Sequence, residues 1–84
     1  MKSYFVTFRS ITFAQRGESV LQKAGIPCEL QRTPRWMEAQ GCGYSLRLSV
    51  KAAQQAVEIL RQRQIPIRKL YLQLEDGSLQ EVRL

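Results

Sequence analysis

Histidine is absent from the 84 residues. Its absence removes the usual general base near neutral pH and the commonest metal ligand. Cysteine is scarce: two residues are too few for a disulfide scaffold, which makes the cytoplasm the default setting. No apolar run approaches the ~18 residues of a membrane span. No apolar segment follows Lys2 toward a small-residue cleavage site, so neither an anchor nor a signal peptide is expected. Acidic residues are also few. Seven Asp and Glu against 13 Lys and Arg leave a net charge of +6. That balance favours anionic partners, whether nucleic acid, a phosphate or sulfur oxyanion, or an acidic protein. It names none of them. No complete catalytic constellation is present, so an enzyme is not expected, and neither is a cofactor.

What is present reads as one small domain spanning 1–84. A hydrophobic content of 44% with 24% charged residues is ordinary for a folded globular chain. A domain this short buries only about two-thirds of its unfolded surface, so a homodimer would add useful burial.

Residues 2–9, KSYFVTFR, are rich in aromatic and β-branched residues and predict a strand. Tyr4, Val6 and Phe8 share the expected core face. A helix follows, with Thr12 and Gln15 as a capping box and Ser10 as a competing cap. Phe13, Gly17, Val20, Leu21 and Ala24 form its apolar stripe. Gly17 in that stripe points to a close approach of helix and sheet, Gly25 supplies the stop, and Pro27 forbids continuation.

Cys28 to Arg32 predicts a short second strand ended by Pro34. Residues 34–43 form a loop of about ten, long for a hairpin connection. Tyr44, Leu46 and Leu48 alternate with Ser45, Arg47 and Ser49, the mark of a strand covered on one face. Ser49 caps a second helix over Val50 to Arg63 with a stripe of Val50, Ala53, Val57 and Leu60. Ile67 to Leu74 is a fourth strand with Leu70, Leu72 and Leu74 on its buried side. Asp76-Gly77 marks a turn, and Leu79 to Leu84 fold back as a short edge strand.

The order predicts an α+β, ferredoxin-like split β-α-β domain (βαββαβ) with an antiparallel sheet and both helices on one face. The other face would show Phe5, Thr7, Glu29, Gln31, Ser45, Arg47, Lys69 and Tyr71, and would be polar and partly basic.

The candidate chemistry lies in Thr33–Leu48, TPRWMEAQGCGYSLRL. Gly41 and Gly43 flank Cys42, and paired glycines mark backbone that turns sharply or approaches something closely. Such a junction leaves the Cys42 sulfur accessible. Arg35 and Arg47 are the nearby cations that would lower its pKa, and the glycines could free backbone N–H groups toward an anion. A thiol so placed can attack, be attacked, or carry a second sulfur or selenium atom. The bland reading is a small residue in a tight turn, and Gly-Cys-Gly alone does not decide between them. Pro34 and Arg35 are equally readable as a strand stop and a solvated cation, or as an anion clamp. Trp36 and Met37 cover the loop or form a docking patch.

Antiparallel pairing of the second and third strands puts Cys28 opposite about Leu48, roughly 15–20 Å from Cys42. A disulfide needs Cα atoms within about 7 Å, so none is expected, and Cys28 reads as core. Two thiols without histidine also make no zinc site. The opposite sheet face offers a rival. Phe5 and Tyr71 beside basic residues would suit single-stranded RNA, although the RNP1-type string is missing.

With these residues in view, the chain resembles the small bacterial family of selenium/sulfur carrier-like proteins, formerly a domain of unknown function. The resemblance is carried by the aromatic first strand ending in Phe8, by Ala14 and Glu18, by LQRTPR with Pro34-Arg35, and by GCGYSLRL with Cys42-Gly43 and Leu46-Arg47. It covers about residues 3–70. The loop departs from the family's small, Ser-rich residues before Cys-Gly, with Trp36-Met37-Glu38-Ala39-Gln40 instead. The resemblance implies that Cys42 holds sulfur or selenium for transfer, and that a donor protein and a recipient enzyme are its partners. The alternative is a small basic RNA-binding or protein-interaction module without thiol chemistry.

Overall fold

The computed structural model describes residues 2–32 and 43–82. The expected loop over 34–43 lies outside the described residues except for Gly43, as does the end of the expected edge strand after Val82. The elements are β1 (Ser3–Thr7), α1 (Ile11–Lys23), β2 (Cys28–Arg32), β3 (Tyr44–Ser49), α2 (Val50–Gln62), β4 (Lys69–Gln73) and β5 (Leu79–Val82). They form one five-stranded sheet in the order β2-β3-β1-β4-β5, every pair antiparallel. The first four strands have the ferredoxin-like order, and β5 extends the sheet beside β4.

Side-chain alternation explains the layering. The row Leu30, Leu46, Val6, Leu70 and Val82 runs across all five strands on the helix side. Its central members join Phe8, Leu21, Ala56 and Leu60 in the core. α1 packs over β2 and β3, and α2 over β3 and β1. Leu70 of β4 is buried, but Leu72 and Leu74, the latter just past the end of β4, are only half-buried, contrary to the alternation-based expectation. The reason is that the two helices cover the β2–β1 half of the sheet. A cleft of ≈ 440 Å³ remains between α2 and the β4–β5 side, lined by Tyr4, Val50, Val57, Leu70 and Val82 among others.

The α1 cap differs from the predicted box. Ser10 is the N-cap, and its Oγ accepts a hydrogen bond from the Phe13 N–H at 3.3 Å. Starting the helix at Ile11 rotates the buried stripe to Ala14, Gly17 and Leu21, while Ala24 becomes the exposed C-cap. Gly17 does lie where helix and sheet meet closely. A Cβ there would stand 3.1 Å from Phe8 Cζ and 3.3 Å from both Leu46 Cδ1 and Leu60 Cδ2. On α2, Ser49 occupies the expected N-cap position without a side-chain cap bond, and Val50 is 45% exposed instead of core.

Both helices end in the same way. After α1, the Ile26 N–H donates to the Leu21 carbonyl at 2.9 Å and Gly25 N–H to Gln22 at 3.0 Å. After α2, Ile65 N–H donates to Leu60 at 2.9 Å and Gln64 N–H to Arg61 at 3.0 Å. These are Schellman pairs, and their C′ residue must adopt the left-handed region. Gly25 does so freely at φ +79°, whereas Gln64 does so at φ 58° against the clash of its Cβ. Gln64→Gly is therefore expected to stabilise the domain by about 0.5–1 kcal/mol, net of the added unfolded-state entropy. An unchanged or lowered urea midpoint would show that the Gln64 side chain earns its place elsewhere.

The β4–β5 hairpin turns where Asp76-Gly77 predicted. Asp76 Oδ1 accepts from Ser78 N–H at 2.9 Å and from Ser78 Oγ at 2.6 Å, and Gly77 has φ +89°. The Ser78 hydroxyl and then its N–H hold the Asp76 carboxyl below the usual range. Among the described residues no helix is long and apolar enough to cross a membrane.

Candidate functional site

Gly43 is where the described chain resumes, and its φ of +81° is a conformation that L side chains rarely adopt. Among the described residues nothing lies within 4 Å of a Cβ placed there, and the backbone geometry itself asks for glycine. The next residue, Tyr44, opens β3, which lies between β2 and β1. The junction is thus set within one end of the sheet. Cys42 is one peptide bond away from it in sequence. Pro34, Arg35, Gly41 and Cys42, like Trp36 and Met37, lie outside the described residues.

Strand register shows what else stands at this end. Arg32 pairs with Tyr44, and Thr7 pairs with both Ser45 and Lys69. Thr7 pins β1 to β4 here. Its Oγ1 accepts from Lys69 N–H at 3.0 Å and donates to the Lys69 carbonyl at 3.3 Å, while Arg68 N–H donates to the Thr7 carbonyl at 2.9 Å. Arg9 and Ser10 continue beyond Thr7 at the same end. Ordinary strand reading missed Arg9, Arg32 and Arg68 as neighbours of the junction. The signal was available: β1 and β2 finish, and β4 begins, where β3 starts.

Arg47 behaves differently from Gly43. It pairs with Glu29 and Phe5, and its Nε donates to Ser3 Oγ at 3.3 Å. Ser3 belongs to the opposite sheet end, where it pairs with Ser49. Arg47 is four residues along β3 from Gly43, about 13 Å at strand rise, and its head group reaches onward from there. It lines a second cleft with Lys2, Cys28, Glu29 and Ser49.

Cys28 sits in that cleft, opposite Leu48 as the antiparallel reading required. It is a free, half-buried thiol packed against the core, with its Sγ 3.9 Å from the Glu18 carbonyl. Burial, and then the Glu18 charge, push its pKa up. The reactive thiolate is correspondingly scarcer on Cys28 than on an ordinary cysteine. Among the described residues no three His, Cys, Asp or Glu side chains converge on a point that could hold a metal ion.

The face away from the helices is less open than alternation implied. Phe5 is 9% exposed, and Ser3, Thr7 and Ser45 are buried as well. They lie on central strands, flanked in register by the longer Glu29, Arg47, Tyr71 and Lys69. The charges there balance. Glu29 faces Arg47 across the β2–β3 pair, and Lys69 Nζ stands 3.7 Å from Glu81. The partly basic aromatic platform is therefore corrected to a neutral polar face with its phenylalanine closed.

Fold and site together define a ferredoxin-like α+β domain with a glycine-shaped junction at one sheet end and its second thiol subdued at the other. A family model described as "Putative Se/S carrier protein-like" matches residues 3–72, and the chain belongs to that family. No curated protein and no solved structure gives a match.

Proposed function

We propose that this protein is a carrier that holds transferable sulfur or selenium on Cys42 and passes it from a donor protein to a recipient enzyme in the cytoplasm. Family membership over residues 3–72 is the observation that carries the reading. The half-buried place of Cys28 beside Glu18, which raises its pKa, supports giving the role to the other cysteine. In the loading step the Cys42 thiolate attacks the outer sulfur of a donor persulfide. The new S–S bond forms on Cys42, the donor's S–S bond breaks, and the donor leaves as a thiolate. Unloading runs the same exchange toward the recipient. Gly41 and Gly43 keep bulk away from the attacked sulfur, and Pro34-Arg35 holds a cation in the same segment to favour the anionic forms. Arg47, whose Nε donates to Ser3 Oγ, adds positive charge on the strand that follows the Cys42 segment.

Incubation with a persulfide donor is expected to add mass in steps of one sulfur atom to the wild-type chain and to Cys28→Ser, and none to Cys42→Ser. A thiol probe at neutral pH is expected to modify Cys42 well before Cys28. Equal adducts on both cysteines, or none on either, would overturn the assignment. The RNA-binding alternative rests mainly on charge, since among the described residues the aromatic rings are buried (Phe5, Phe8) or half-buried (Tyr4, Phe13, Tyr44, Tyr71) and offer a reduced stacking surface.

A further inference from the structure

The net charge of +6 is not spread evenly over the fold. The antiparallel register brings the end of β1, the end of β2 and the start of β4 to the Gly43 end of the sheet, and with them Arg9, Arg32 and Arg68. α2 runs from Ser49 at the far end back to β4, so its last turn and cap deliver Arg61 and Arg63 to the same end. α1 begins there too, with no acidic residue in its first turn, and the positive pole of its dipole offsets the negative pole of the α2 C-terminus, which leaves the arginines to set the field.

Most of the described carboxylates lie away from this end, Glu18 within α1 among them, and Glu81, nearer to it, is paired with Lys69. Glu75 and Asp76 occupy the β4–β5 turn at the far end, and Glu29 faces Arg47. Glu58 is one turn back along α2 from Gln62. Arg9, Arg32, Arg61 and Arg63 are exposed and have no ion-pair partner among the described residues. Exposed arginines without partners gain little for the fold, and clustering them costs mutual repulsion. A concentration of this kind fits a surface that meets opposite charge.

We propose that the Gly43 end of the sheet is a docking surface for the acidic face of a protein partner, built on Arg9, Arg32, Arg61 and Arg63. Arginine's planar fork pairs with carboxylates in two parallel hydrogen bonds, which gives such a surface orientation as well as charge. Single-stranded nucleic acid also carries negative charge, but it gains much of its affinity by stacking on exposed rings. Among the described residues no ring is more than half exposed: Phe5 and Phe8 are buried and Tyr4, Phe13, Tyr44 and Tyr71 half-buried. The choice of partner rests on the carrier reading, since docking at this end would bring a donor or recipient to the segment that holds Cys42. The basic surface stands independently of that chemistry.

The test uses a fluorescein-labelled Glu-rich peptide and a single-stranded RNA of equal net charge as probes. The triple variant R9E/R32E/R63E is compared with K2E/K23E/K51E, which makes the same change in charge with exposed residues of the far end. The first set is expected to raise the peptide Kd at least about tenfold at low salt and the second to leave it within about threefold. Wild-type binding should weaken steeply between ~50 and ~200 mM salt, where exposed charges are screened over about a Debye length. Cys42→Ser should bind the peptide as wild type does, so a failure of sulfur loading and a failure of docking are separately visible. Equal losses from both triple variants would show that only net charge matters and would overturn the surface. RNA binding more than about tenfold tighter than the peptide, with the same dependence on Arg9, Arg32 and Arg63, would overturn the choice of a protein partner.

Discussion

Phe8→Ala is expected to destabilise the domain by about 3–5 kcal/mol, the range for deleting a buried aromatic ring and leaving a cavity. Phe8 is fully buried in the core and follows directly after β1. Its ring tip lies under Gly17 of α1, and Leu46 and Leu60 flank the same spot. The ring therefore touches the meeting point of sheet, α1 and α2. A domain of 84 residues has a total stability of roughly 4–12 kcal/mol at 0.05–0.15 per residue. The loss is a large fraction of that total, and at the low end of the range it leaves the variant partly unfolded without denaturant. Urea titration followed by far-UV circular dichroism measures the loss. A value under about 1.5 kcal/mol would mean that the neighbouring leucines collapse into the gap.

The same contact supplies the second large effect, from the opposite direction. Gly17→Val is expected to cost about 2–3 kcal/mol, because its methyl groups enter a space already closed by three buried side chains. Gly17→Ala should come out within about 1 kcal/mol of neutral. Its helix-propensity gain of about 1 kcal/mol opposes the few tenths of an ångström that Phe8, Leu46 and Leu60 must yield. The closest of these is Phe8 Cζ, so shortening it should make room. In a Phe8→Leu background the cost of Gly17→Val is expected to fall by about 1 kcal/mol or more, a coupling that a double-mutant cycle reads directly. Additive costs would place the clash on Leu46 and Leu60 instead.

These two residues also show how far the sequence could be read. Gly17 inside an apolar helical stripe announced a close approach, and the structure puts its would-be Cβ within 3.1 Å of Phe8. Alternation in Tyr44–Ser49 and the Asp76-Gly77 signal fixed strands and a turn because both are local patterns. The pairing of Cys28 with Leu48 followed from antiparallel geometry alone. Other features depended on tertiary context. Which of Ser10 and Thr12 caps α1 turned on where β1 releases the chain, and that moved the buried stripe by one position at Ala14. Leu72 and Leu74 alternate like core residues, but helix coverage decides their burial, and the two helices pack chiefly over β2, β3 and β1. Phe5 looked exposed because alternation gives a residue's face, while its burial comes from long neighbours on both flanking strands.

The candidate site was legible in one part and hidden in another. Gly43 could be read as a conformational necessity, and its φ of +81° agrees. Arg47 was close to Cys42 in sequence, but a strand spaces residues by about 3.3 Å each and its side chain is free to lean either way. It leans to Ser3. Arg9, Arg32 and Arg68 are scattered in sequence, and only the strand order brings them to one edge of the molecule.

The hairpin that adds β5 changes the molecule's outline as well as its sheet. Without a fifth strand, β4 would end the sheet with a row of unpaired amides next to Leu70 and Leu72, a template on which another chain could pair. Instead Leu70 through Gln73 are paired with Val82 through Leu79. The new border is only four residues long and carries Glu81, while the opposite border, β2, begins after Pro27 and carries Glu29 and Arg32. Both borders are short and charged, the features that discourage fibre-like growth. The family match stops at residue 72, within β4. The turn and β5 therefore guard against aggregation from outside the segment that defines the family.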